Sequence, residues 1–171
     1  DSGSSWTTGS GSSFELVDGS YGSGQVQVRQ TDVVGNVSDP ASLSAVMVDT
    51  AVATPTVDIT TDSADGSDRI TNDATITVSG LESGASWEYS LDGGSNWSSG
   101  DSSDNSFELA DGVYDSGDVL VRQTDIAGNV SSNGALAAAT IDTQISSTDS
   151  SVNDGDSDGL TNDATVTVDN I

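Results

Sequence analysis

The sequence contains no cysteine, no histidine and no lysine, and its only basic residues are Arg29, Arg69 and Arg122. The absence of cysteine excludes disulfides and thiol chemistry. Without histidine or cysteine, no Ser-His or Cys-His nucleophile system can be built, and Zn²⁺ lacks its thiolate and imidazole ligands. These absences predict that the chain is not an enzyme of the nucleophilic or zinc-dependent classes.

Positive charge is scarce, because 28 acidic residues stand against 3 basic ones and the formal net charge is -25 over 171 residues. Internal salt bridges cannot absorb this charge, and uncompensated repulsion destabilises a compact state. Hard divalent cations bound by carboxylate oxygens can neutralise it. Nucleic acids and anionic membranes need a basic surface, so we expect neither as a partner. No apolar run is long enough to span a bilayer, so we expect no direct membrane insertion.

An internal repeat organises the chain. The stretch SFELVDGSYGSGQVQVRQTDVVGNVS begins at Ser13, and SFELADGVYDSGDVLVRQTDIAGNVS begins at Ser106, an offset of 106 − 13 = 93 residues. The motif TNDAT recurs at Thr71 and Thr161, an offset of 161 − 71 = 90 residues. Self-similarity at a nearly fixed period indicates a tandem array with about 93 residues per repeat.

Period-two alternation of apolar and polar residues dominates residues 50–142, and no helical period is present. Short runs separated by Gly, Ser and Asp turns are typical of an antiparallel β-sandwich, so we predict an all-β fold. Trp87 and Tyr114 fit the core tryptophan and tyrosine corner of immunoglobulin-like domains, although ordinary core filling would also explain them. The predicted strands are residues 56–59, 74–78, 86–91, 106–110, 118–125 and 135–141.

The ends of the chain are out of phase with the repeat. We predict a complete repeat at residues 50–142, the C-terminal part of one repeat at residues 1–49, and the N-terminal part of the next repeat at residues 143–171. Neither end piece can close a sandwich alone. We therefore expect each to be completed by a neighbouring chain, by further sequence, or by the other end piece across a packing contact.

The combination of TNDATITVSGLESGASWEYSLDGGSNW, starting at Thr71, with SFEL, DGVY and VRQTDIAGNVS resembles the bacterial immunoglobulin-like repeats of giant type I-secreted adhesins. That family includes biofilm-associated surface proteins and the extender regions of RTX adhesins. The resemblance implies tandem immunoglobulin-like β-sandwiches whose junctions bind Ca²⁺ and stiffen a rod. It also implies an extracellular location on the surface of a Gram-negative bacterium, with neighbouring repeats as partners.

Two knots of aspartates, each just before a strand-like run, are the first candidate calcium sites. The second knot, DGDSDG from Asp154, matches the opening of an oxygen-ligand calcium loop. An EF-hand is not expected, because Thr165 stands where its bidentate glutamate would be. A solvated acidic loop is the alternative, and we favour calcium because the chain lacks cationic partners. The candidate ligands are Asp62, Asp65, Asp68 and Asp73 in the first knot, and Asp154, Asp156, Asp158 and Asp163 in the second.

Loop and linker aspartates are the other candidate ligands. Asp32 in TDVVGN and Asp125 in TDIAGN lie in a predicted hairpin loop, where an Asp…Asn pair can shape a turn, bind an ion, or do both. The linker aspartates Asp49 and Asp142 each follow a predicted strand, and they could face the next repeat's knot. Acids from a loop, a linker and the next repeat could then meet around one Ca²⁺.

These observations predict a structural extender of a secreted adhesin, a calcium-stiffened rod that projects a distal binding domain. One alternative is a glycan-binding module, in which Trp97 or Trp6 would stack on a sugar ring. Another is a surface-layer or sheath protein that assembles laterally. Paired carboxylates could hydrolyse glycosides, but an enzyme rarely needs its site copied along an array, so we expect no enzymatic activity. Host, biofilm or glycan ligands would be bound by domains outside residues 1–171.

Overall fold

The structure, a computed structural model, describes residues 2–145, 149–152 and 166–169, and these residues form strands, turns and loops. Within these ranges, no helix has the length and apolar character needed to cross a membrane. In chain order, the strands are β1 (Gly19–Tyr21), β2 (Gln27–Val28), β3 (Ala41–Ser42), β4 (Val46–Val48), β5 (Thr56–Ile59), β6 (Ile70–Thr71), β7 (Thr75–Ser79), β8 (Ser86–Ser90), β9 (Ser98–Ser99), β10 (Ser106–Glu108), β11 (Gly112–Tyr114), β12 (Leu120–Thr124), β13 (Gly134–Ala135), β14 (Ala139–Ile141), β15 (Asp149–Val152) and β16 (Val166–Asp169).

Residues 50–142, here called the central unit, form sheets that enclose one core. β7 pairs antiparallel with β5 and with β10. β12 pairs antiparallel with β8 and β13, and β8 also pairs with β9. β14 pairs antiparallel with β11 and parallel with β6. The predicted all-β, mainly antiparallel character is confirmed, and the arrangement is consistent with a β-sandwich.

The core forms from the alternating side chains that the sequence pattern predicts. In β7, Ile76 and Val78 are buried, while Thr77 and Ser79 between and after them are exposed. Burying an aliphatic or aromatic side chain of this size stabilises the fold by about 1.5–3 kcal/mol. The core cluster consists of Val57, Ile76, Val78, Trp87, Phe107, Leu109, Val119, Val121, Leu136 and Ile141.

Trp87 lies at the centre of this core, as predicted, and is 3% exposed. Its Nε1–H donates to the Asp101 carbonyl oxygen at 3.1 Å, so the buried indole nitrogen has a partner. Its ring lies 6.2 Å from that of Phe107, centroid to centroid. Gly100 passes so close that a Cβ there would lie 2.0 Å from the Trp87 Cε2 atom. The indole therefore requires glycine at position 100.

The tyrosine hydroxyl predicted for a corner makes the expected type of bond. Tyr114 Oη donates to the carbonyl oxygen of Ala110, four residues upstream, at 3.0 Å. Tyr21 Oη makes the same bond to Val17 at 2.9 Å. Each hydroxyl ties the last residue of a strand, β11 or β1, to the loop that precedes that strand, as in a tyrosine corner.

Strand register in residues 1–49 repeats that of the central unit. The β1–β4 pair aligns Gly19 with Val48, and the β11–β14 pair aligns Gly112 with Ile141. Both offsets are 93 residues, since 112 − 19 = 93 and 141 − 48 = 93. Residues 1–49, here called the N-terminal half-unit, therefore adopt the local pairing of the second half of the central unit.

The antiparallel pair of β15 and β16 repeats the β5–β7 pair of the central unit. β15 and β16 align Asp149 with Asp169, and β5 and β7 align Thr56 with Ser79. The offsets are 149 − 56 = 93 and 169 − 79 = 90 residues, the same two offsets that relate the sequence motifs. The backbone pairing thus follows the sequence repeat at this end of the chain as well.

Candidate functional site

The linker between β4 and β5 is hydrogen-bonded to the central unit at several backbone groups. Asn129 Nδ2 donates to the Asp49 carbonyl oxygen at 3.0 Å. The Ala53 N–H donates to Glu82 Oε1 at 2.8 Å, and the Ala53 carbonyl accepts from Gln123 Nε2 at 2.8 Å. Because backbone groups at both ends of this short stretch have partners, the linker follows one path across the central unit.

Gln123 is the buried side chain that holds this arrangement together, and it is 0% exposed. Its Nε2 donates to Gly80 O at 3.1 Å as well as to Ala53 O, and its Oε1 accepts from the Glu82 N–H at 2.8 Å. Both donors and the acceptor of the amide are therefore satisfied. The sequence analysis did not single out Gln123, although Gln30 in the first copy of VRQTD was a signal that the position matters.

The loop that begins at Asp125 is a closed turn. Asp125 Oδ1 accepts from the Asn129 N–H at 2.8 Å, and its Oδ2 accepts from Asn129 Nδ2 at 2.7 Å. Gly128, with φ of 94°, supplies the left-handed residue that the turn needs. Asp32 and Asn36 make the same two bonds, both at 2.8 Å. The turn role of these aspartates is present, and each carboxylate keeps lone pairs that could bind an ion.

Hydrogen bonds lower the pKa of several carboxyl groups. The side-chain amide four residues downstream is the largest cause for Asp32, Asp92 and Asp125, and it helps bring the pKa of Asp92 to about 2. For Asp73, hydrogen bonds from Thr75 lower the pKa. These shifts keep the carboxylates ionised, which suits cation binding. A general acid needs the opposite shift, toward the working pH.

Three carboxylates, from Asp49, Glu82 and Asp125, line one open pocket of about 330 Å³ beside the linker. Two of them are predicted ligands, and Glu82 is an addition that the sequence analysis missed. The apolar part of the lining comes from neighbouring residues such as Met47 and Ile126. All three acids offer oxygen donors, which is the ligand chemistry of Ca²⁺. In the part of the chain that the structure describes, no three acidic side chains converge closely enough to hold a metal ion.

In the first aspartate knot, each aspartate accepts a hydrogen bond from a nearby residue, but one carboxylate oxygen of Asp62 accepts none. Asp65, Asp68 and Asp73 each accept a hydrogen bond from the residue two positions downstream, at 2.7, 3.0 and 2.9 Å, which is the bonding of local turns. Asp62 Oδ2 accepts from the Arg69 N–H at 3.3 Å. Asp62 Oδ1, in contrast, is buried without a hydrogen-bond partner. An orphaned carboxylate oxygen is costly to bury, and a bound cation would satisfy it.

The knot that follows Asp142 lies outside the described residues, so the expectation that Asp142 faces it stays a prediction; the described residues show other neighbours of the linker aspartates. The Asp142 N–H donates to Thr71 O at 2.9 Å, because β14 runs parallel beside β6, so Asp142 lies next to the knot of its own unit. Asp49 contacts the 125–129 loop of the following unit instead. At the junction that the structure describes, a linker aspartate is therefore joined to the next unit's hairpin loop.

Two acids that the sequence analysis did not consider also secure the linkers. Asp111 Oδ1 accepts from the Thr143 N–H and Oγ1, at 3.0 and 2.8 Å. Asp18 Oδ1 accepts from Thr50 Oγ1 at 2.8 Å, which is the same bond 93 residues earlier. The available signal was the motif in which each aspartate follows FEL by two residues and precedes a glycine.

The predicted ligands thus fall into separate groups. Asp49 and Asp125 share the linker pocket, Asp32 occupies the equivalent loop of the N-terminal half-unit, and Asp142 lies beside the first knot. The predicted ligands of the second knot lie outside the described residues; they are Asp154, Asp156, Asp158 and Asp163.

The tryptophans proposed for sugar stacking pack under arginines. The Arg122 guanidinium carbon lies 4.0 Å from the ring centroid of Trp97, and Trp97 Nε1 donates to Gly94 O at 3.0 Å. Arg29 lies 4.0 Å over the ring of Trp6 in the same way. One face of each ring is therefore occupied by a cation–π contact within the protein.

No model of a known protein family matches the sequence, and no curated protein matches it closely enough to count as a relative.

Proposed function

We propose that this chain is a segment of an extracellular extender, a rod of tandem immunoglobulin-like β-sandwiches that carries a distal binding domain away from a Gram-negative cell surface. Calcium bound at the junctions between units stiffens the rod. Three features support an immunoglobulin-like unit: the buried Trp87, the Tyr114 hydroxyl bond to Ala110, and the edge strand β6 parallel to β14.

The observation that carries the proposal is the bonded linker. An array of units stays extended as a rod only if successive units cannot rotate freely about the peptide that joins them. Here Asn129 binds the Asp49 carbonyl, and Gln123 and Glu82 bind both sides of Ala53, so the linker is part of the central unit's surface. Such a junction favours an extended array over units joined by a flexible linker.

Calcium supplies charge neutralisation at this junction. Asp49 comes from the preceding unit, whereas Glu82 and Asp125 come from the central unit, and all three line one pocket. Their mutual repulsion opposes closure of the junction, because like charges in a partly buried site are poorly screened. The three side chains do not converge closely enough in the structure to hold one ion, so they would have to draw together on binding it. Asp62 with its orphaned oxygen would hold an ion at the knot. Extracellular calcium modules bind at about 10⁻⁴–10⁻³ M, so the rod would be stiff outside a cell.

Glu82→Gln is the sharpest test of the calcium site. Glutamine keeps an oxygen that can accept the Ala53 N–H and removes only the charge. We expect Ca²⁺ at about 100 times its Kd to raise the unfolding free energy of the wild-type chain by about 2.7 kcal/mol. Glu82→Gln should lose most of that increment while keeping the stability seen in chelator. Calorimetry with Ca²⁺ and then with chelator measures both values.

Asp104→Asn is the matched control, because Asp104 is an exposed acid of the central unit outside the linker pocket. It removes the same charge and should leave the calcium increment unchanged. Equal calcium responses in the wild type and Glu82→Gln would refute the site, and no calcium response in any variant would refute calcium stiffening. Small-angle scattering of the wild-type chain should show a longer maximum dimension with calcium than with chelator.

A further inference from the structure

Arg69 lies inside the first knot with a backbone conformation that is unusual for a residue with a long side chain. Its φ is 60°, in the left-handed region that favours glycine. Ala64, in the same loop, has a similar φ of 59°. Strained residues of this kind persist only where the surrounding structure holds them. The contacts of Arg69 must therefore outweigh the cost of its backbone conformation.

The Arg69 guanidinium is held by oxygen atoms from two parts of the central unit. Nε donates to Ala138 O at 2.9 Å and Nη2 donates to Ala137 O at 3.5 Å, both in the segment between β13 and β14. Nη2 also forms an ion pair with Asp58 Oδ1 of β5 at 2.8 Å. The Arg69 side chain is 28% exposed. One positive charge therefore fastens the knot to β5 and to the segment that leads into β14.

The backbone of Arg69 adds two more connections. Its N–H donates to Asp62 Oδ2 at 3.3 Å, and its carbonyl oxygen accepts from the Thr140 N–H of β14 at 2.9 Å. The next residue, Ile70, begins β6 and pairs with Thr140. The side-chain and backbone contacts of Arg69 together, here called the Arg69 clasp, hold the knot on the sheets through groups of the protein itself.

The next repeat has glycine at the position of Arg69. Gly159 is the equivalent residue, since 159 − 69 = 90, the offset of the TNDAT motif, and it lies outside the described residues. Ser151 is the equivalent of Asp58, since 151 − 58 = 93, the offset that relates β15 to β5. Both partners of the ion pair are therefore replaced together, while the second knot keeps its aspartates.

The oxygen atoms around the guanidinium are also suited to a divalent cation. Two backbone carbonyls, from Ala137 and Ala138, and one carboxylate, from Asp58, are ligand types that Ca²⁺ takes. Asp62 Oδ1, buried without a hydrogen-bond partner, adds a further carboxylate oxygen in the same knot. Glycine at position 69 would remove the positive charge and leave these oxygen atoms in place.

We infer that Arg69 is a built-in cation that fixes the first knot on the sheets, and that with glycine at this position a divalent cation is needed in its place. The second half of this inference rests on the proposed function, because it takes Ca²⁺ as the cation. The first half does not involve calcium. Position 69 then decides whether the order of a knot depends on the calcium concentration outside the cell.

The test is amide hydrogen exchange of the full chain, measured by mass spectrometry over residues 60–73, first in chelator and then in Ca²⁺. Loop bonds protect four amides of this stretch, those of Arg69, Ile70, Asn72 and Asp73. In chelator, Arg69→Gly should lower their protection, the ratio of intrinsic to observed exchange rate, by about 10-fold. In Ca²⁺, the difference from the wild type should shrink to less than about 2-fold.

Ala64→Gly is the matched control, because it puts glycine at the same φ in the same loop and removes none of the clasp. Its protection should equal that of the wild type. Arg69→Asn is the second variant, since asparagine tolerates the left-handed conformation and carries no charge. It should behave as Arg69→Gly does, so that the added flexibility of glycine is not the cause of the effect.

Three outcomes would overturn the inference: unchanged protection in Arg69→Gly and Arg69→Asn, an equal loss in Ala64→Gly, or a difference from the wild type that Ca²⁺ does not reduce. The first two concern the clasp in chelator, and the third concerns its replacement by calcium. The calcium measurement at Glu82 reports on the linker pocket by calorimetry. Either measurement can therefore fail while the other holds.

Discussion

Replacement of Gln123 by leucine separates the contribution of the buried amide from that of the surrounding core. Leucine is apolar and close in size, so it fills the site without a large cavity. It removes two donors, to Ala53 O and Gly80 O, and one acceptor for the Glu82 N–H. The substitution therefore removes one of the three hydrogen bonds between the linker and the central unit, because the Asn129 and Glu82 bonds remain, and it leaves three backbone groups without their protein partners.

The expected cost follows from these three bonds. A hydrogen bond within a protein contributes a net of about 1 kcal/mol, with a spread of about 0.5. Ala53 and Gly80 are exposed and Glu82 is half-buried, so water can reach the groups left behind and the full desolvation cost does not apply. We therefore expect Gln123→Leu to lower the unfolding free energy of the central unit by about 3 kcal/mol, a large part of the 5–15 kcal/mol of a typical domain.

The assay is urea unfolding of the full chain, followed by tryptophan fluorescence, to which the buried Trp87 contributes together with Trp6 and Trp97. Gln30→Leu provides the matched control, because it alters the same VRQTD motif at a position where the side chain is exposed. That control should change the unfolding free energy by less than about 0.5 kcal/mol. The dependence of free energy on urea should stay constant, since neither substitution alters the surface exposed on unfolding.

The reasoning would be refuted if Gln123→Leu cost less than about 1 kcal/mol, or no more than Gln30→Leu. Either result would mean that the amide bonds do not hold the linker against the central unit. A second readout distinguishes a local effect from a global one. Amide exchange should accelerate at Ala53 and Glu82 in Gln123→Leu before it accelerates in the core strand β7.

Two further predictions concern the core and the acidic turns. Gly100→Ala should destabilise the central unit by about 3 kcal/mol, the upper end of the usual overpacking cost, because its Cβ would overlap the Trp87 ring. Gly9→Ala should be neutral. Urea unfolding compares the two variants, and equal effects would contradict the packing argument. The folded-state pKa of Asp92 is lowered to about 2 from 3.8, so its ionised form stabilises the fold above pH 3.8, and this contribution is lost as pH falls toward 2. The unfolding free energy, measured at several pH values, should therefore decline less steeply over that window in Asp92→Asn than in the wild type. Identical slopes would contradict the prediction.

Much of the fold could be predicted from alternation and turn residues. Strands predicted at residues 56–59 and 86–91 correspond to β5 and β8, and the burial of Ile76 and Val78 follows their period-two spacing. The predicted strand at 135–141 is split into β13 and β14, because the first part pairs with β12 and the second with β11 and β6. The two-residue strands β6 and β9 carry too few residues to show a period.

The candidate site was predictable where acids recur as motifs. Asp49 and Asp125 were predicted ligands, and the structure brings them to one pocket. Glu82 was missed, since a single glutamate after a strand has no periodic or motif signal. Gln123 was missed because a glutamine flanked by Arg122 and Thr124 looks exposed, although its period-two spacing from Val119 and Val121 puts it on the buried face of β12, where it reaches Ala53 and Gly80.

The amino-acid sequence by itself was enough to establish the strand periods, the repeat of about 93 residues and the excess of carboxylates. Each of these is a property of neighbouring or regularly spaced residues. The partners of those carboxylates depend on sheet pairing between distant residues. The parallel contact of β14 with β6 puts Asp142 beside the knot of its own unit, and the Asn129 bond puts Asp49 beside the next unit's loop. Such contacts join residues about 70 to 80 positions apart, and pairing over that distance leaves no period in the sequence.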